Sequence, residues 1–181
     1  MRSISGRLYS TLNDQYRRTM RCVGSSVSVI TCKSFSGEYA GMTISSVSSV
    51  SVNPLPIISF NLQVPSRTSR ILSEGSGRFA INVLGASPLM KEIALAFAGA
   101  RGHDFDPFSQ FTAEFSEHED GGKDGVPYIL HSNCFVCKLQ QQLQVQDHLL
   151  LTASVEKVIP GADTSMIYMD SGFRSIGQKI C

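Results

Sequence analysis

The stretch Thr43-Ile-Ser-Ser-Val-Ser48 packs four hydroxyls into six residues, a composition that can cradle an anion. Thr43, Ser45, Ser46 and Ser48 each offer an O–H donor. The intervening amides, that of Val47 among them, add N–H donors without a bulky wall. Taken alone, alternating Ser reads better as the wet face of a strand. Further along, Ser66-Arg67-Thr68 follows Pro65, and Ser66 has the character of a helix N-cap. Free N–H groups and the helix dipole favour an anion at such a start. Arg67 there can add a charge-assisted pair or remain a solvated first-turn side chain. His148, beside Asp147, can donate a hydrogen bond and change charge near neutral pH, or can simply begin a strand.

Two other groupings carry less. Cys134 and Cys137 have the Cys-x-x-Cys spacing of zinc and redox sites, but a second pair is missing and no His stands at finger spacing. The pair lies in a strand-like run, where residues three apart point to opposite faces. Both therefore read as buried thiols packing as small hydrophobes. The five cysteines (22, 32, 134, 137 and 181) are odd in number and follow no secretory leader, which implies reduced thiols in an intracellular compartment. Residues 114–125 are acidic and Gly-rich, and read as a solvated loop whose carboxylates are not catalytic.

The elements that must position these groups follow from pattern. Residues 12–23 read as a helix capped by Asn13 or Asp14, and Ser26–Thr31 as a strand. A second strand leads from Tyr39 into the Ser-rich stretch 43–51, and a third covers Ile57–Leu62. Ser66 caps a helix over Arg67–Leu72, and Phe79–Leu84 is a buried strand. Ser87-Pro88 starts a helix whose apolar face runs from Leu89 to Phe97 and which Gly99 ends. Phe135–Val145, Leu149–Val158 and Ser165–Met169 complete the strands. Many strands and a few short helices point to a mainly β chain, a β-barrel with helical additions.

Hydrophobic residues make up 42% and charged residues 17% of the 181, enough for one domain with its own core. Sixteen basic against 15 acidic residues argue against a nucleic-acid binder, and no apolar run is long enough for a membrane span. Residues 1–13 read as an N-terminal extension and 14–181 as the domain. The extension is basic and acid-free, with Ile4, Leu8 and Leu12 at helical spacing, like a mitochondrial presequence. Arg7-Leu8-Tyr9-Ser10 looks like a matrix cleavage site. The alternative is an ordinary N-terminus on a cytoplasmic protein.

Gly41-Met-Thr-Ile-Ser-Ser, followed by Ser51-Val-Asn-Pro54, resembles the flavin reductase family. Ser66-Arg67-Thr68 is similar to that family's Ser-x-Thr turn, and Phe79-Ala-Ile-Asn-Val-Leu84 to its Phe-Ala-Val-Asn-Val-Leu strand. Asp147-His148 falls at its Gly-Asp-His, and Tyr168 to Gly177 resembles its Tyr-x-Arg-Gly-x-Tyr-x-x-Leu-Gly ending. The chain departs at Gln146, at Leu55-Pro56 and at Asp170-Ser171. The first and third lie where the family shapes its pyridine-nucleotide side.

The resemblance implies an FMN-binding split β-barrel with a few short helices. It implies FMN in preference to FAD, NADH or NADPH as co-substrate, a homodimer, and a monooxygenase as taker of reduced flavin. Thr43, Ser45, Ser46, Val47, Ser48, Ser66, Arg67 and Thr68 would bind the cofactor. His148 would be catalytic, facing the flavin's reactive edge and the nicotinamide. Two rivals stand beside this flavin reductase: a flavin carrier or sensor without NAD(P)H turnover, and a pyridoxamine-phosphate-oxidase-type enzyme on a related barrel.

Overall fold

The computed structural model describes residues 11–102, 104–118 and 125–177. Helix α1 (Leu12–Met20) leads into β1 (Ser25–Ser26), β2 (Ser28–Lys33), β3 (Tyr39–Ile44), β4 (Ser48–Ser51) and β5 (Ile57–Gln63). The middle holds α2 (Arg67–Glu74), β6 (Arg78–Val83), α3 (Pro88–Phe97) and the short α4 (Pro107–Gln110). Then come β7 (Phe115–His118), β8 (Val126–Ile129), β9 (Asn133–Val145), β10 (His148–Ile159), β11 (Met166–Met169) and β12 (Gly172–Ser175).

Seven strands form one antiparallel sheet in the order β3-β2-β6-β9-β10-β5-β4. Its two edges, β3 and β4, are joined by residues 45–47 alone. Four Cα steps of about 3.8 Å reach at most about 15 Å, whereas six strand spacings of about 4.8 Å would set the edges of a flat sheet about 29 Å apart. The sheet must therefore curl until its edges approach, and β3 does meet β5 across the seam. Ser46 fastens it: its Oγ accepts from the Asn61 N–H at 2.8 Å. Register shifts in the long β9–β10 ladder, at Thr152/Ala153 and Val155/Lys157, bend the sheet further.

The barrel interior is filled by Ile30, Phe60, Leu62, Phe79, Ile81 and Leu151, all 0% exposed. A second core lies outside the barrel wall, where Ile93, Ala94 and Phe97 of α3 cover Val27, Val29 and Leu84. Gly41 permits this close approach: a Cβ there would fall 2.5 Å from the Phe97 ring. Asn82 of the Phe-Ala-Ile-Asn-Val-Leu strand is a buried cross-brace. Its amide nitrogen donates to the Val29 carbonyl at 2.9 Å, and its oxygen accepts from the Ile129 N–H at 2.8 Å.

The mainly β split barrel expected from the sequence is the fold observed, with differences in detail. Thr11, rather than Asn13 or Asp14, caps α1, in a capping box with Asp14, and the helix stops at Met20. The single strand expected from Tyr39 to residue 51 is two, because the barrel seam has to be crossed between them. Part of the acidic 114–125 segment is strand: Glu117 of β7 accepts from Lys33 Nζ at 2.9 Å and from the Tyr39 hydroxyl. Residues 119–124 lie outside the described residues. The proposed boundary after residue 13 falls inside the first turn of α1, while residues 1–10 of the presequence reading lie outside the described residues.

Cys134 and Cys137 sit on opposite faces of β9 in different core clusters, both 0% exposed. Burial pushes the Cys134 thiol up to about 12 and raises that of Cys137 further. They are buried thiols, as their strand spacing implies. No helix among the described residues is long and apolar enough to cross a membrane.

Candidate functional site

Three segments converge at the C-terminal end of β5. The 45–48 turn is pinned to Asn61 by Ser46, and Ser48 pairs with Ser59 of β5. Two residues beyond Asn61, Gln63 pairs with His148 at the start of β10. Three residues beyond Gln63, Ser66 caps α2. The Val64 N–H donates to the Asp147 carbonyl at 2.8 Å, which ties the α2 approach to the β9–β10 hairpin. Ser46, Ser48, Ser66, Arg67 and His148 thus lie along one rim.

The start of α2 is built for an anion. Ser66 Oγ accepts from the Ser69 N–H at 3.1 Å and Ser69 Oγ meets the Ser66 N–H at 3.2 Å, completing a capping box. Among the described residues the Arg67 and Thr68 amides, in the first turn of α2, find no acceptor. Arg67 Nε donates to Glu38 Oε1 at 2.8 Å, with the Arg67 side chain 60% exposed. Such surface pairs are worth about 0–1 kcal/mol, so an incoming phosphate can recruit the guanidinium. A cavity of about 450 Å³ opens here, lined by Ser66, Arg70, Gln144 and Leu149.

His148 is half exposed, and its Nδ1–H donates to Asp147 Oδ1 at 2.9 Å. That bond holds the Asp147 carboxyl below its ordinary range. The carboxylate fixes the ring's orientation and leaves Nε2 for a second partner.

Other expected residues point elsewhere. Thr43 donates to the Ala94 carbonyl of α3 at 2.6 Å, so its hydroxyl proton is committed to packing α3 on the barrel. It lines a separate cavity of about 350 Å³ with Ser45, Leu95, Tyr168, Ser171 and Phe173. Val47 is packed against the barrel core. Thr68 is 2% exposed and its carbonyl receives the Cys32 thiol at 4.0 Å, so little of the residue is open to a ligand. Sequence reasoning missed Asn61, whose role depends on the seam, and Tyr168, which was visible only as part of a terminal motif. The residues on the rim fit a flavin: two unpartnered amides, a cap hydroxyl and a recruitable guanidinium for its phosphate, and the hydroxyls of the turn for its ring.

The family model for the flavin reductase like domain matches residues 20–177. The NADH-dependent flavin reductase StyB of Pseudomonas fluorescens is 28% identical over 141 residues, 77% of this chain and 74% of the relative. The styrene monooxygenase flavin reductase structure from Pseudomonas putida S12 superposes with a TM-score of 0.74 at 22% identity, covering 92% of this chain and 99% of that one. BorF, the flavin reductase component of a bacterial two-component tryptophan halogenase, gives 0.75 at 23% identity, covering 92% and 99%. These relatives are bacterial, which lends the mitochondrial expectation no support.

Proposed function

The chain belongs to the flavin reductase-like family, and on that premise we propose that it is an oxidoreductase that passes hydride from a pyridine nucleotide to FMN. The observation that carries the reading is the convergence of the 45–48 turn, the α2 amides and the Asp147-His148 pair on one end of β5. When bound, the flavin supplies the hydride acceptor.

The residues of this chain supply position and charge. The Arg67 and Thr68 amides, with Ser66 and the Arg67 side chain, hold the phosphate. The Ser45, Ser46 and Ser48 hydroxyls and the Val47 amide border the ring, and Thr43 braces the turn from beneath through Ala94. His148, oriented by Asp147, offers Nε2 to the nicotinamide carboxamide and sets its face. No side chain has to take up or release a proton for hydride to move.

The outer face of β9–β10 carries Leu143 and Leu150 as cross-strand partners with Val145 beside them, 61%, 42% and 51% exposed. An apolar patch of this kind on a sheet supports a homodimer. Reduced flavin would then leave for a monooxygenase, and a cytoplasmic site of action accords with bacterial relatives. The test is the absorbance spectrum of the purified protein, followed by anaerobic NADH and NADPH oxidation with added FMN. Stoichiometric flavin reduction and its recovery in an ultrafiltrate are expected. A flavin spectrum without oxidation of either nucleotide would leave a carrier, and absence of flavin binding would sink the proposal.

A further inference from the structure

Helix α1 and its C-cap residue carry three arginines, and two of them share a face. Arg17 and Arg21 are one turn apart and line one wall of a groove of about 390 Å³. Tyr168, Met169, Asp170 and Ser171 of the β11–β12 hairpin form the opposite wall, and Ser45 lines the groove too. The walls are tied together, since the Asp170 N–H donates to the Arg21 carbonyl at 2.8 Å. Ser45, Tyr168 and Ser171 also line the cavity of about 350 Å³ that leads to Thr43, so the groove runs up to the turn proposed to border the flavin.

The charges in this groove are unbalanced. Neither Arg17 nor Arg21 pairs with a carboxylate among the described residues. Asp14, the acid of α1, is engaged with the Thr11 hydroxyl at 2.9 Å. Asp170, which lines the groove, lies 3.8 Å from Arg174. Two guanidinium groups that no carboxylate among the described residues pairs suit a phosphate monoester, which they can grip through paired N–H donors. Tyr16 and Tyr168, 63% and 42% exposed, offer flat surfaces for a base. In the reading above the flavin phosphate is met by the α2 amides, which leaves this groove for the second nucleotide.

We propose that the α1–hairpin groove holds the 2′-phosphoadenosine end of the pyridine nucleotide, with Arg17 and Arg21 on the 2′-phosphate, so that the enzyme favours NADPH over NADH. The inference rests on the flavin reductase reading, and its test separates the two. Calorimetric titration of the full-length protein with 2′,5′-ADP and with 5′-ADP should show at least about tenfold tighter binding of the former, or about 1.4 kcal/mol. The pair Arg17→Gln and Arg21→Gln should erase that preference and raise the ratio of KM for NADPH to KM for NADH at least about tenfold. Arg18→Gln, which removes a last-turn charge from the same helix but lies outside the groove, should do neither. Equal binding of the two ligands by the unaltered protein, or a preference that survives in the double variant, would overturn the groove assignment and leave the reductase standing. Arg-dependent binding of 2′,5′-ADP by a protein that oxidises neither nucleotide would support the groove and refute the reductase.

Discussion

Replacing Gln146 and Ser171 by glycine should stabilise the protein. Both residues occupy two-residue hairpin turns with left-handed backbone, φ 53° at Gln146 and 58° at Ser171. Gln146 lies between Val145 and His148, the last pair of the β9–β10 ladder, and Ser171 between Met169 and Gly172 of β11–β12. An L residue with a Cβ gives up about 1–2 kcal/mol in this conformation. Glycine avoids that loss but costs about 0.5–1 kcal/mol of extra chain entropy on folding. The net gain is about 0.5–1 kcal/mol per site, and turns on separate hairpins should add. For a chain of this length each kcal/mol moves Tm by about 2–4 °C, so Gln146→Gly with Ser171→Gly should melt about 2–8 °C higher. Gln141→Gly in the middle of β9 is the opposing control, expected to lose about 0.5–1 kcal/mol. Thermal melts and urea titrations of the apoprotein read both. A double variant that melts at or below the parent would refute the reasoning, because the turns would then gain more from their side chains than they lose to the backbone. Asp170 is also left-handed, φ 51°, but Asp tolerates this region better, so it is left in place.

Glu117 ties β7 to β2 and β3. Burial raises its carboxyl, but the hydrogen bonds from Tyr39 and Lys33 outweigh burial and hold it below the ordinary range. A depressed carboxylate contributes stability that is full above its unfolded pKa, near about 4.3, and is lost as pH falls through the folded value. Glu117→Gln should therefore lower Tm at neutral pH and flatten its decline below about pH 4, and parallel pH profiles for the two proteins would contradict this. His148→Ala should leave FMN affinity nearly unchanged and slow anaerobic NAD(P)H-dependent flavin reduction at least about tenfold, or about 1.4 kcal/mol of transition-state stabilisation. An unaltered stopped-flow rate would place His148 outside the reaction. Leu143→Glu with Leu150→Glu should convert the proposed homodimer to monomer by sedimentation, and an unchanged mass would move the interface elsewhere.

The parts of this fold that depend on local chemistry were legible in the chain itself. Ser66 and Ser87 cap α2 and α3 because a short hydroxyl side chain meets the first free amides wherever a helix starts, and both starts were read correctly. The buried strand at Phe79 followed from a short, mostly apolar run, and the opposite-facing cysteines of β9 from period two. The failures cluster where closure of the barrel decides. Residues 43–51 look like one alternating strand, yet the chain leaves one edge of the sheet at Ile44 and joins the other at Ser48. No local preference marks that change of partner. The same closure divides the expected ligands: Ser46 is turned to Asn61 at the seam, while Thr43, on the near side of it, faces α3. Thr68 was selected for its hydroxyl, but the N-terminal turn of an amphipathic helix has a buried side, and Thr68 lies on it. A free first-turn amide is a group every residue but proline carries, and no sequence pattern can single it out. The departures at Gln146 and Ser171 acquire a backbone meaning by the same route: they fall at turns where glycine is the unstrained residue, so they change hairpin energetics before they change any contact with a nucleotide.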